Sequence, residues 1–466
     1  MADKHIRLDS QFSSVAAFWK PEKPDDVMTG TLTIDDDGIR FITSPEYARG
    51  AAVKPPDLAQ INLISIPRTS VLHGFFQEEE CTLLQLMVIE HPGLTSYKEN
   101  RQSITSVCYR ASAFISGMHT GSFDDKCIDN ARYTFTSLAE WVRTPRMEDW
   151  GKDQITINIP HEEKEILNFV VSAIQVRIEL KIHSSLTTNN ETHAREIRTH
   201  VVLEVTPPEP ETLLWFWDMG NRLENLFSLL TGASLGMETF FIYRGDKSGI
   251  LIRKQHDFVK PYNAIESVRS TNARFQGAIT TWLGESSSFR AIENLLLGVL
   301  RKGKLFLETE FLSLAQALEG FHRVTGDDDK LDKPAFKELR AKIEKFLEEQ
   351  KVEEETAARV NSAIAYSNQT SFRSRLKELC SRISDGTLGN MEIVPEEFID
   401  VIVRTRNFFT HAGSSPDEKK EPVTGSELFF LNQKMRALLR GVFLLHLGFP
   451  EQEFQELIVR EATKWK

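Results

Sequence analysis

Apolar and polar positions alternate through the first half of the chain, and a 3.6-residue period takes over in the second. Thr29-Gly30-Thr31-Leu32-Thr33-Ile34 alternates, Asp36-Asp37-Gly38 carries a turn signal, and Ile39-Arg40-Phe41-Ile42 alternates back. That pattern predicts a β-hairpin. Further strands are expected over 62–66, 82–89, 105–113, 132–135, 154–159, 174–182 and 197–205, with a short helix over 137–142 and a polar turn over 184–192. Pro207-Pro208-Glu209-Pro210 then interrupts the pattern as a linker or stiff corner. From Glu211 onward apolar residues recur at helical spacing (Leu223, Leu226, Phe227, Leu230), broken by two short strands over 237–243 and 249–252. Helices are expected over 264–283, 289–300, 309–324, 333–349, 353–365, 373–383, 396–412, 427–447 and 451–463. The fold class is therefore α+β, a β-rich half followed by a helical bundle. The expected divisions are a β-rich domain at 1–150, a second β/α segment at 151–261 and a helical domain at 262–466.

One predicted helix carries polar groups that its apolar stripe does not explain. Pro395 suits a first helical position, and Glu396 and Glu397 follow where the helix dipole favours carboxylates. Phe398, Ile399, Ile402 and Phe409 form the stripe, and Gly413 suits a C-terminal cap. Among them stand Arg404, Arg406, Asn407 and His411. A histidine moves protons near neutral pH, and an arginine meets the developing charge of a phosphate with a fixed charge and a planar fork. Those residue types suit phosphodiester cleavage without metal. Arg404, Asn407 and His411 share a face, whereas Arg406 and His411 lie about 140° apart around an ideal axis. The length of arginine, the helix end and a second copy of the helix would each close that gap.

Arg406-Asn407-Phe408-Phe409-Thr410-His411 matches the Arg-x4-His motif of the HEPN ribonucleases, and the preceding Ile402-Val403-Arg404-Thr405 resembles the ApeA-type phage-defence branch. Leu307-Glu308-Thr309-Glu310-Phe311-Leu312-Ser313-Leu314-Ala315-Gln316-Ala317-Leu318-Glu319 and Ser371-Phe372-Arg373-Ser374-Arg375-Leu376-Lys377-Glu378-Leu379 are similar to the same branch. Phe18-Trp19-Lys20-Pro21-Glu22 and Thr29-Gly30-Thr31-Leu32 resemble the β-rich domain that precedes it there. The resemblance implies a HEPN-like bundle at 262–466 behind an ApeA-type N-terminal domain. It also implies a homodimer, or a higher even-numbered oligomer, with two motifs facing one cleft. It implies an abortive-infection effector that cleaves RNA, tRNA being one candidate, in response to a phage-derived trigger. Arg406, Asn407 and His411 would be catalytic, and Arg404, Arg373, Arg375 and Lys377 would contact the RNA. No cofactor and no metal are implied.

Composition bounds these expectations. At 466 residues, with 41% hydrophobic and 26% charged positions, the chain is of globular type and holds two or three domains. Four scattered cysteines without a Cys-x-x-Cys pair, and no apolar leader, predict a cytoplasmic protein with reduced thiols. No apolar run is long enough to span a bilayer. Gly298–Lys304 copies the glycine and lysine spacing of a P-loop, but Leu305 stands where a magnesium-binding hydroxyl is needed. A net charge of −11 opposes long-range attraction to RNA. It favours a second reading, a non-catalytic dimeric scaffold whose β-rich domain binds a ligand or a protein. Glu319 and His322, polar members of an apolar helix, fit a buried ion pair or a cap as well as catalysis.

Overall fold

The computed structural model describes residues 11–35, 37–43, 71–90, 108–136, 138, 164–188, 195–232, 235–252, 272–285, 287–301, 305–326, 332–365, 367–410 and 422–463. Expected strands over 62–66 and 154–159, and nearly all of the expected helix over 137–142, lie outside the described residues. Two compact units form, one from residues 1–227 with 233–264 and the other from residues 228–232 with 265–466. Among the described residues no helix is long and apolar enough to cross a membrane.

Among the described residues the first unit has fourteen strands: β1 (Phe12–Lys20), β2 (Lys23–Asp35), β3 (Gly38–Thr43), β4 (Val71–Phe76), β5 (Glu79–Leu84), β6 (Met87–Glu90), β7 (Cys108–Ala111), β8 (Ala113–Ser116), β9 (Asn130–Phe135), β10 (Lys164–Val171), β11 (Val176–Thr188), β12 (Arg195–Thr206), β13 (Met237–Arg244) and β14 (Lys247–Ile252). Their order is β10-β11-β12-β9-β13-β14-β8-β5-β4-β1-β2-β3-β7-β6. The expected β2–β3 hairpin forms, with Leu32 opposite Phe41 and Asp35 opposite Gly38.

The pairings close part of this sheet on itself. β7 and β8 are consecutive in the chain, separated by Ser112 alone. β7 pairs with β3, and β8 pairs with β5. The run β5-β4-β1-β2-β3 is thereby joined at both ends to one segment, which is the closure condition of a small antiparallel barrel. Alternate side chains of those strands point inward and fill it: Phe18, Leu32, Phe41, Leu72, Leu83 and Phe114 are all buried in one cluster. Phe18 and Phe41 meet edge to face, with centroids 4.8 Å apart.

β14 leaves the barrel by pairing with β8, and β13, β9, β12, β11 and β10 extend the sheet from there. β9 pairs with β12 (Tyr133 opposite Leu203), so strands from the stretches 1–150 and 151–261 share one sheet. Helix α1 (Leu213–Thr231) packs on it: the buried Tyr133 hydroxyl donates to the Phe216 carbonyl at 2.7 Å, and Phe135 meets Phe227 at 5.5 Å. The polar turn expected over 184–192 is shorter, because Ser184–Thr188 stays in register opposite 195–199. The Pro207–Pro210 stretch forms the corner between β12 and α1, within the first unit.

The second unit is helical: α2 (Asn272–Gly284), α3 (Ser287–Arg301), α4 (Leu307–Thr325), α5 (Lys333–Glu349), α6 (Glu354–Ala365), α7 (Phe372–Ser381), α8 (Asp385–Asn390), α9 (Pro395–Thr410), α10 (Gly425–His446) and α11 (Gln455–Thr463). The expected α+β class, β-rich first and helical second, is the architecture found. An aromatic core ties α2, α3, α4 and α10 together: Phe289 lies 6.2 Å from Trp282, 6.0 Å from Phe321 and 5.3 Å from Phe443. Residues 228–232, the end of α1, count with this unit. Arg440, 1% exposed, donates from Nε to the Leu229 carbonyl at 2.7 Å and from Nη2 to Leu230 at 2.9 Å, and pairs with Glu461 at 3.0 Å. It thus satisfies carbonyls that a helix end leaves without intrahelical partners. Gly232 is required there twice over: its φ is +69°, and a Cβ would lie 2.1 Å from Arg440 Nη1.

Candidate functional site around Arg406

Helix α9 presents the motif on a scaffold of α4 and α7. Phe398, Ile399 and Ile402 bury the inner stripe, and Phe409 closes against Phe311 of α4 at 5.9 Å. α7 runs antiparallel to α9. Phe372 faces Arg406, Arg373 bonds Asp400, and Lys377 reaches Glu396 at 3.2 Å. The acidic start of α9, read as a helix-dipole feature, therefore also binds the basic face of α7.

Arg406 is half-exposed, and two groups orient it. Its Nη2 stands 3.7 Å from Glu319 Oε2 on α4, and its guanidinium carbon lies 5.7 Å from the centre of the Phe372 ring. A planar cation over an aromatic face with a carboxylate beside it is a held, directional charge. Glu319 is itself anchored by Arg323 at 2.8 Å. Asn407, the next residue, is exposed, and Thr410 folds its hydroxyl back onto the Arg406 carbonyl at 2.8 Å. His411 lies outside the described residues.

The expected RNA contacts divide. Arg373 and Lys377 are exposed, each in an ion pair across to α9. Arg404 is half-buried, and its Nε is enclosed without a hydrogen-bond partner among the described residues. Arg375 is 0% exposed and donates to His322 Nδ1 at 3.2 Å, so in this structure it faces the interior and not a polynucleotide. His322 is fully buried as well, and its Nε2 meets Glu378 Oε2 at 2.6 Å. Because a guanidinium only donates, Nδ1 accepts, and the proton on Nε2 points to the carboxylate. Glu319 thus takes the ion-pair role weighed for it, against Arg406 itself, whereas His322 links Arg375 and Glu378 through hydrogen bonds. Arg382 completes this corner, bonding Thr325 at 2.9 Å and lying over Phe321; burial pushes its pKa down.

Sequence reasoning did not find Glu319 and Phe372 as the partners of Arg406. The pairing joins positions 87 and 34 residues away, and only the packing of α4 and α7 on α9 reveals it. A concave space of about 410 Å³ lies elsewhere in this unit, lined by Phe336, Lys337, Arg340, Ala365 and Asn368 among others, and no motif residue lines it.

Comparison with known families gives two matches. The ApeA N-terminal domain 1 matches residues 13–282, more than half of the chain, and the Apea-like HEPN domain matches residues 312–453. No curated protein and no solved structure matches the chain. The first match covers the β-rich unit almost entirely, and the second runs from α4 to α10, taking in Glu319, Phe372 and Arg406. The chain therefore belongs to the ApeA-like HEPN family, with an ApeA N-terminal domain ahead of its HEPN bundle.

Proposed function

We propose that this protein is a metal-independent endoribonuclease effector of anti-phage defence, acting through Arg406 and His411. The observation that carries the reading is the state of Arg406. It is partly open to solvent beside the exposed Asn407, and its guanidinium is oriented by Glu319 and Phe372. A purely structural arginine would have no need of an open face, and a solvated one no need of two orienting partners.

In the reaction proposed, the ribose 2′-oxygen attacks the adjacent phosphorus while His411 accepts the hydroxyl proton. The bond from phosphorus to the 5′-oxygen breaks, and that oxygen takes a proton. Arg406 stabilises the extra negative charge on the crowded phosphate, and Asn407 hydrogen-bonds His411 or the substrate. The products are a 2′,3′-cyclic phosphate and a 5′-hydroxyl. DNA lacks the nucleophile. One chain supplies one His411, so a homodimer with two motifs facing a common cleft provides both an acid and a base. Arg404, Arg373 and Lys377 are auxiliary contacts to the RNA backbone. The ApeA N-terminal domain restrains the nuclease or senses the phage-derived trigger, with tRNA as one candidate target.

The test is incubation of the purified protein with total RNA in EDTA. Cleavage giving cyclic-phosphate ends is expected, and it is lost in Arg406→Ala and His411→Ala proteins of unchanged circular dichroism. Co-expression with phage infection provides the trigger if the purified enzyme is latent, the readout being growth arrest that depends on His411. RNA left intact and cells left healthy in both settings would return the protein to the scaffold reading.

A further inference from the structure

Arg406 takes its aim from two helices at once, since Glu319 belongs to α4 and Phe372 to α7. Both partners stay in place only while α7 keeps one register against α4. Leu318 and Phe321 of α4 and Leu376 and Leu379 of α7 are buried, but apolar burial has no direction and specifies a register weakly.

The directional contacts lie one turn further along. His322 and Arg375 stand three residues beyond Glu319 and Phe372, and both are 0% exposed. Arg375 Nη1 donates to His322 Nδ1 at 3.2 Å, and His322 Nε2 donates to Glu378 Oε2 at 2.6 Å. After a further turn, Arg382 donates to the Thr325 hydroxyl at 2.9 Å. The partners advance together, 322 with 375 and 378, then 325 with 382, so α7 runs in the same sense as α4. Slipping one helix by a turn would pull a buried guanidinium and a buried imidazole off these partners, and buried polar groups are costly to leave unmatched.

The chemistry asks for a histidine. A guanidinium only donates and a carboxylate only accepts, so the group between them must accept at one end and donate at the other. A neutral imidazole does both. The end of α4 then closes on the ring: the Gly326 amide donates to the His322 carbonyl at 2.7 Å, and a Cβ on Gly326 would lie 2.9 Å from His322 Cε1.

We infer that His322 is a positioning residue for the Arg406 site. Its two hydrogen bonds set the register of α7 on α4 and so hold the Phe372 ring under the Arg406 guanidinium. His322 touches no substrate. Its effect on geometry stands by itself, and its effect on rate rests on the cleavage proposed above.

The experiment compares His322→Gln, which keeps an acceptor and a donor, with His322→Leu, which fills the space and keeps neither. The first readout needs no activity. With 4-fluorophenylalanine at position 372, Arg406→Ala displaces the fluorine resonance if the guanidinium lies over that ring. The displacement is expected in the parent and His322→Gln proteins and is lost in His322→Leu. The second readout is single-turnover cleavage of RNA. Turnover should fall about tenfold in His322→Leu, with KM changed less than about twofold, and stay within about threefold of the parent in His322→Gln. Gly326→Ala crowds the imidazole without deleting a bond and should act in the same direction as His322→Leu, which keeps the test open if the leucine variant does not fold. A fluorine displacement that persists in His322→Leu, equal losses in the glutamine and leucine variants, or a Gly326→Ala protein unchanged in both readouts would each overturn the inference. A parent protein that cuts no RNA yet gives the expected fluorine pattern would sink the ribonuclease reading and leave the role of His322 standing.

Discussion

Arg406 draws its orientation from two residues that a motif search does not weigh. Glu319 holds one end of the guanidinium and Phe372 supports its face. On the proposed chemistry this has a kinetic consequence. Glu319→Gln keeps the shape and removes the charge that holds the fork, so Arg406 spends less time aimed at the phosphate. Turnover is expected to fall about tenfold, the equivalent of about 1.4 kcal/mol of transition-state stabilisation, while KM changes less than about twofold. Single-turnover cleavage against a series of RNA concentrations separates the two quantities. An unchanged rate, or a change confined to KM, would leave Glu319 without a positioning role. The neighbouring arginines show where residue-level reading of the sequence stops. Arg373, Arg375 and Lys377 look equivalent as text, spaced by two along one helix. In the structure Arg373 and Lys377 face Asp400 and Glu396, whereas Arg375 turns inward to His322. Positions two apart lie about 200° apart on a helix, so the middle residue must face away from its neighbours. Which side is the interior depends on α4, and α4 is far away in sequence.

Helices that were plain in the sequence are those whose period and caps agree. The reading of 333–349 coincides with α5, started by Asp332 accepting from the Ala335 amide with Pro334 in its first turn. β4 is not legible as a strand in the sequence, since Gly74 interrupts Val71–Phe76 and signals a break. The structure gives the reason for the glycine: a Cβ there would lie 2.4 Å from the Phe18 ring and from the Ala17 carbonyl of β1, which pairs alongside with Phe18 opposite Gly74. α8 is equally illegible, since Gly386 and Gly389 occupy two of its six positions. It is held from outside. Ser384 caps it, and Glu451 accepts from the Ser384 amide at 3.0 Å and from the hydroxyls of Ser384 and Thr387. Partial burial pushes the Glu451 pKa up, but those hydrogen bonds outweigh it and leave the carboxyl below its ordinary 4.5. A folded pKa lower than the unfolded one adds stability above pH 4.5, and that stability is lost as pH falls through the folded value. Glu451→Gln should therefore cost about 0.5–1 kcal/mol at pH 7, a cap-sized effect limited by solvent screening. The difference from the parent should shrink steadily below pH 4.5. Urea unfolding at pH 7, 5 and 3.5 checks this, and a constant difference across that range would refute it.

Taken whole, the chain distributes its charge and its cores unevenly. Residues 265–466 carry 29 lysines and arginines against 31 acidic residues, so most of the net −11 belongs to residues 1–264. The objection that an acidic protein repels RNA thus falls mainly on the β-rich unit, and the helical unit bearing Arg406 is close to neutral. The cores are as separate as the charges. Phe18 is fully buried against Phe41 inside the barrel, and Phe289 is fully buried among Trp282, Phe321 and Phe443 in the bundle. Each cluster is made within one compact unit. Two cores of different topology, one built of non-local strand pairings and one of helices, have no reason to melt at one temperature. Calorimetry is expected to show an unfolding enthalpy larger than the van't Hoff value, the mark of more than one transition. Phe18→Ala and Phe289→Ala should each remove about 3–5 kcal/mol from its own unit, a cost set by the cavity that each leaves. Each substitution should lower one transition and leave the other where it was. A single transition, displaced equally by either substitution, would mean that the two cores share their stability and that the restraint proposed for the N-terminal domain must be sought in that coupling.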